Sequence, residues 1–184
     1  VINTNDDISL KNCGQLHSLL FKYVPYPDDN GKYRDGTALL KRGTIQPVTY
    51  YEINDRINDL DEELQFFMKN IDQYEIGEYI EQVAYFTYKF IVIHPFRDGN
   101  GRISRAIMNW LLSKKKIPPI YIDQKCRKEY YDALSKIDLE EDPVPFIMFI
   151  EKRIIHTMIE LHRYLFVDEI DEEEINEEAE VNGN

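Results

Sequence analysis

Twelve consecutive residues, His94-Pro95-Phe96-Arg97-Asp98-Gly99-Asn100-Gly101-Arg102-Ile103-Ser104-Arg105, gather the side chains that polyphosphate chemistry needs. A helical apolar pattern stops at His94, because Pro95 restricts the residue before it and has no N–H to donate. A Gly-Asn-Gly turn follows, and neither Gly99 nor Gly101 carries a Cβ to hold a ligand away from the backbone. A new helix begins at once. Successive backbone N–H groups at such a turn, with the positive end of a helix behind them, form an anion nest. Arg102 and Arg105 are three residues apart and share one face at the head of that helix. Guanidinium groups grip phosphate oxygens in pairs. Asp98 stands just before the nest, where a carboxylate beside phosphates can hold a magnesium ion. His94 stands at the rim, and an imidazole titrates near neutrality, as suits a general base.

Each residue alone has an ordinary explanation. A histidine at a helix end is usually a cap, a Gly-x-Gly is usually a turn, and an aspartate before a helix is usually its N-cap. The combination is what carries the chemistry: a base, a metal-binding acid, a glycine nest and two arginines stand in one short segment.

The elements around this segment read as helices. One apolar stripe runs through Leu16, Leu19, Leu20 and Tyr23, a second through Ile53, Ile57, Leu60, Leu64 and Phe67. The second opens on a capping box, Thr49 with Glu52. A third, Tyr79, Ile80, Val83, Phe86, Thr87 and Phe90, leads to His94, and a fourth, Ile103, Ala106, Ile107, Trp110 and Leu111, leaves the glycines. Tyr130, Tyr131 and Leu134 mark a short helix. A long one follows Pro143 and Pro145, through Ile147, Ile150, Ile154, Met158, Leu161 and Leu165. The glycine- and proline-rich stretch from Tyr26 to Pro47, around Ala38-Leu39-Leu40, reads as a loop with a hairpin.

The chain of 184 residues carries a net charge of −12, and nine acids with no base fall between Asp168 and Asn184, leaving −3 for the remainder. A domain so mildly acidic is not a nucleic-acid-binding surface. The acidic stretch 167–184 reads as a solvated, poorly ordered end. Cys13 and Cys126 sit in no metal-binding spacing and suit a reducing, cytoplasmic setting. No apolar run approaches the roughly 18 residues of a membrane span.

Positions 94–105 match every position of the signature His-x-Phe-x-Asp/Glu-Gly-Asn-Gly-Arg-x-x-Arg, and the chain thereby resembles the Fic family. Met108-Asn109, Pro118-Pro119-Ile120 and Arg127-Lys128-Glu129-Tyr130-Tyr131-Asp132-Ala133-Leu134 look like that family's downstream pattern. Gly31-Lys32-Tyr33-Arg34, leading to Pro47, looks like its flap. The resemblance covers roughly Ile8 to Phe166. It implies an all-α Fic-fold helical bundle over 1–166 with a short β-hairpin flap at about 33–47.

It also implies a protein adenylyltransferase that uses ATP and Mg2+. His94 would take the proton from a Ser, Thr or Tyr hydroxyl of a target protein, and that oxygen would attack the α-phosphorus. Asp98 would hold the metal. Gly99, Asn100 and Gly101 would cradle phosphates, with the Asn100 side chain assisting. Arg102 would bind the β/γ end and Arg105 the γ-phosphate. Tyr130, Tyr131 and Asp138 would lie beside the adenine, and the flap residues Ala38, Leu39 and Leu40 would align the target. Asp138 stands where such relatives often place an asparagine; a carboxylate still accepts from the adenine amino group.

A Doc-like kinase carries lysine where Gly101 stands, which favours AMP transfer over that alternative. Transfer of another nucleotide or of phosphocholine is opposed only by the adenine-side residues. Many relatives are held off by a Ser/Thr-x-x-x-Glu helix. No Ser or Thr here has Glu four residues later, so an inhibitory helix or antitoxin is expected outside this chain.

Overall fold

The computed structural model describes residues 9–23, 30–38 and 44–181, with side chains described as far as 166. Six α-helices follow one another: α1 Cys13–Phe21, α2 Ile53–Lys69, α3 Ile76–Ile93, α4 Asn100–Lys114, α5 Arg127–Glu140 and α6 Val144–Val181. No strand occurs among the described residues.

The centre of the bundle is α3. It buries residues around most of its circumference, including Tyr79, Val83, Phe86, Thr87, Phe90 and Ile93, and it packs against α2, α4 and α6. A helix apolar all round belongs inside other helices. Thr87 satisfies its hydroxyl on the Val83 carbonyl at 2.7 Å, and Tyr79 donates to the Leu111 carbonyl at 2.6 Å, which ties α3 to α4. The predicted stripe of α2 is wholly buried, and the Thr49–Glu52 capping box precedes it on a short 3-10 turn.

Two stripes differ from expectation. In α1 the buried residues are Cys13, His17 and Phe21, whereas Leu19, Leu20 and Tyr23 are exposed. The inward face follows an i, i+4, i+8 spacing through a cysteine and a histidine, which a count of leucines does not detect. In α6 the core contacts end at Ile154; Met158, Leu161 and Leu165 are exposed. The backbone of α6 continues to Val181, so residues 167–181 of the stretch expected as a poorly ordered end are helical. Glutamate and alanine are good helix formers, which accounts for the continuation.

Among the described residues no helix is long and apolar enough to cross a membrane.

Candidate active site

The loop between α3 and α4 is bracketed by two left-handed residues. His94 caps α3 with φ 49° and ψ 56°, its N–H still donating to the Phe90 carbonyl at 3.1 Å. Gly99 caps the start of α4 with φ 86°. A glycine is required there twice over. L-residues rarely adopt that φ, and a Cβ would stand 2.5 Å from Cε2 of the buried Phe21 ring.

Asn100 locks the loop from within. It is buried, its Oδ1 accepts from the Phe96 N–H at 2.9 Å, and its Nδ2 donates to the Phe96 carbonyl at 2.6 Å. Both ends of the amide thus serve the loop backbone, and the part of the side chain beyond these two bonds is the second Nδ2 proton. Asn109 repeats the device: it donates to the Ile120 carbonyl at 3.1 Å and accepts from the Ile120 N–H at 2.9 Å, which fixes the segment after Pro118-Pro119. A primary amide matches the donor and acceptor of one peptide unit, so asparagine suits both positions.

A column of rings supports the nest from below. The His17 ring lies between Phe21 and Phe96 at centroid distances of 4.4 and 4.1 Å, and the Arg102 guanidinium covers the other side of Phe21 at 4.3 Å. His17 Nδ1 accepts from the Gly31 N–H at 3.1 Å. That assigns the ring proton to Nε2, which lies 3.0 Å from the Asp98 carbonyl and donates to it. The sequence reading missed His17; the one signal available was its spacing of four from both Cys13 and Phe21.

At the surface of the loop Asp98 accepts from the Gly99 N–H at 2.7 Å and pairs with Arg102 at 3.1 Å. The two side chains assigned to metal and phosphate thus neutralise each other across one helical turn. The Asp98 carboxylate is 72% exposed and the Arg102 side chain 42%, so neither is sealed into this pair. Among the hydrogen bonds of the described residues none engages the backbone N–H of Asn100 or of Gly101. Gly101 is exposed, and a Cβ there would meet only Arg105 Nη1, at 3.3 Å. The chain itself does not demand a glycine at 101.

Burial depresses the basicity of His94 to a pKa of about 4, the Arg34 charge acting in the same sense, while the Ile91 carbonyl and Asp98 oppose them. The imidazole is thus neutral at pH 7, further from neutrality in its titration than a surface histidine. Its Nδ1 is the buried nitrogen.

The remaining predicted residues are spread along α5. Tyr130 is 2% exposed and packs on Phe146 and Phe149. Its phenol is pushed up to about 12 by burial, with the Arg105 charge opposing. It is a core residue behind Arg105, and its ring has no free face for a base. Tyr131 is half-buried beside it. Asp138 lies eight residues on, about 12 Å along the helix, close enough to Tyr88 of α3 to help raise that phenol, after burial. Ala38 is half-buried; Leu39 and Leu40 lie outside the described residues. The described arms of the expected flap dock on the end of α3 and its loop: the Arg34 N–H donates to the Pro95 carbonyl at 2.8 Å, and the Val48 N–H to the Val92 carbonyl at 3.1 Å.

The sequence profile of the Fic/DOC family matches residues 7–112. The chain belongs to the Fic/DOC family. It is similar to the protein adenylyltransferase Fic of Culex quinquefasciatus, with 34% identity over 152 residues, 82% of this chain and 28% of that protein. It thus spans less than a third of the length of such curated Fic proteins. Among solved structures it is similar to a fragment of Caenorhabditis elegans Fic-1, with a TM-score of 0.69 at 23% identity, covering 90% of this chain and 45% of that one. Another is the Bartonella tribocorum BepC protein with bound AMPPNP, at a TM-score of 0.54 and 16% identity, covering 78% and 83%. These likenesses mark the six-helix arrangement as a Fic fold.

Proposed function

We propose that this domain transfers AMP from ATP to a hydroxyl side chain of a target protein. The observation that carries the reading is the state of the nest. Gly99 turns the chain into α4 in a conformation held by Asn100 and His17, and this leaves two amides, two arginines and an exposed carboxylate at one helix N-terminus. Gly101 supports it independently, because a glycine that the fold does not need suits a backbone that a phosphate approaches closely. The similarity to curated protein adenylyltransferases favours ATP as donor.

In this reading the Asn100 and Gly101 amides and Arg102 receive the phosphates, and Arg105 reaches the terminal one. Asp98, released from Arg102 as that arginine turns to phosphate, fits a magnesium ion of the kind held by one carboxylate, phosphates and water. Such an ion supplies charge neutralisation along the polyphosphate. His94, neutral at pH 7 with Nδ1 buried, receives the target's hydroxyl proton at Nε2 as the oxygen attacks the α-phosphorus, the bond from that phosphorus to the oxygen bridging the β-phosphate breaks, and pyrophosphate leaves. Catalysis rests on positioning and charge, as is usual at phosphorus. Of the three residues expected beside the adenine, Tyr131 and Asp138 have surface to offer it. The flap around Ala38, Leu39 and Leu40 aligns the target by strand pairing. The natural setting is cytoplasmic, and control comes from an inhibitory helix or antitoxin outside this chain.

The test is incubation with ATP labelled in the α-phosphate, with GTP, UTP and CDP-choline as competing donors. His94→Ala is expected to lower transfer about 1,000-fold and to leave ATP affinity within about threefold, since a base acting on the acceptor adds nothing to ground-state nucleotide binding. Transfer by His94→Ala within about tenfold of wild type, a barrier change of about 1.4 kcal/mol, removes His94 from the mechanism.

A further inference from the structure

Arg34 is the most deeply buried cation beside the site, at 5% exposure. Among the described residues its side chain donates only to backbone carbonyls: Nε to His94 at 2.8 Å, Nη1 to Gly36 at 2.8 Å, and Nη2 to Val48 and, at 3.4 Å, to Ile93. Its own N–H takes the Pro95 carbonyl. Three separate stretches therefore converge on one guanidinium: the end of α3, the residues just after Arg34, and the arm that returns at Val48. Burying a charge is costly unless hydrogen bonds replace its water, and here partial charges on four carbonyls do so. A planar fork with fixed donor directions can serve acceptors from several directions at once, which a lysine ammonium on a flexible stem does less well.

The most consequential acceptor is His94. A histidine at φ 49° is in a conformation that costs roughly 1 kcal/mol or more for a residue with a Cβ. Its carbonyl direction and its Cα–Cβ direction are set by the same φ and ψ. Holding the carbonyl therefore holds the stem from which the imidazole projects. Gly36 lies near the start of the expected flap and Val48 just past its end, so the same group also ties both arms of that segment to the ring.

We propose that Arg34 is a positioning residue for the transfer reaction, which pins the His94 peptide in its left-handed conformation and ties it to both arms of the flap, so that base and target-bearing segment keep one separation. It acts through carbonyls alone and touches neither nucleotide nor target. The proposal rests on the assignment of His94 as the base.

Arg34→Lys keeps the charge and the stem but not the fork. The experiment measures steady-state transfer from labelled ATP, together with the imidazole NMR signals of 15N-histidine-labelled protein, for wild type, Arg34→Lys, and Arg34→Ala with and without added guanidinium chloride at low millimolar concentration. The expected result is a loss in kcat of about 100-fold for Arg34→Lys, the scale of a misplacement of roughly 1 Å, with KM for ATP little changed. The His94 signals should shift or split, and guanidinium should partly restore both in Arg34→Ala. Retained kcat in Arg34→Lys, unchanged His94 signals, or a parallel loss of ATP binding and of the folded state in both variants would each overturn the proposal. Absence of transfer by the wild type would sink the adenylyltransferase reading instead, and the His94 signals would still decide whether Arg34 positions that ring.

Discussion

Two glycines two residues apart should respond oppositely to the same substitution. At Gly99 an alanine meets two obstacles. The φ of 86° costs an L-residue about 1–2 kcal/mol, and the new methyl would stand 2.5 and 2.9 Å from Cε2 and Cζ of Phe21. That ring cannot retreat freely, because it is buried and sandwiched by His17 and Arg102. Overpacking a fixed aromatic adds about 1–3 kcal/mol, for a total near 2–5. In a chain of 184 residues that corresponds to a melting temperature lower by about 4–20 °C. Gly101→Ala meets only a flexible arginine tip and gains a better helix former, so the melting temperature should hold or rise slightly. Its Cβ would, however, stand where phosphates approach, and ATP affinity should fall by at least about tenfold, or 1.4 kcal/mol. Differential scanning fluorimetry and ATP titration calorimetry on both variants give the four numbers needed. A Gly99→Ala protein that melts within 2 °C of wild type (roughly 1 kcal/mol or less), or a Gly101→Ala protein that binds ATP normally, refutes the assignment of structural and ligand roles.

Stability should also depend on His94. Its folded pKa of about 4 lies below the 6.5 of the unfolded chain, so between those values the unfolded state binds a proton that the fold refuses. Stability from this group is complete above pH 6.5 and declines as pH falls toward 4, by about 3 kcal/mol at most. Urea midpoints at pH 7 and 4.5 should therefore lie closer together in His94→Asn than in wild type; an equal pH slope in both would refute it. Asn100→Ala leaves the Phe96 N–H and carbonyl unpaired in a buried loop and should cost about 2–4 kcal/mol, read as a lower urea midpoint. A variant of wild-type stability would return that side chain to the phosphates.

The sequence by itself determined which chemistry to propose. Side-chain type and spacing over 94–105 offer a candidate base, an acid, a nest and two arginines, because function at phosphorus depends on a few polar groups in one short segment. It also determined α2 and α3, whose buried faces are made of residues that are apolar by composition, at helical spacing. Where the inward residue is Cys13 or His17, hydrophobicity carries no such mark, and of the expected α1 stripe only Leu16 packs against the core. Only the tertiary structure decided which polar groups serve the chain and which face solvent. Asn100 and Asn109 look like ligand-binding amides until their backbone partners are seen, Tyr130 looks like a stacking platform until Phe146 and Phe149 close over it, and Arg34 looks like a flap residue until four carbonyls converge on it. Those partners lie up to 60 residues away along the chain. A hydrogen bond's acceptor is a matter of position in space, and a backbone carbonyl leaves no trace in the identity of the residue that carries it.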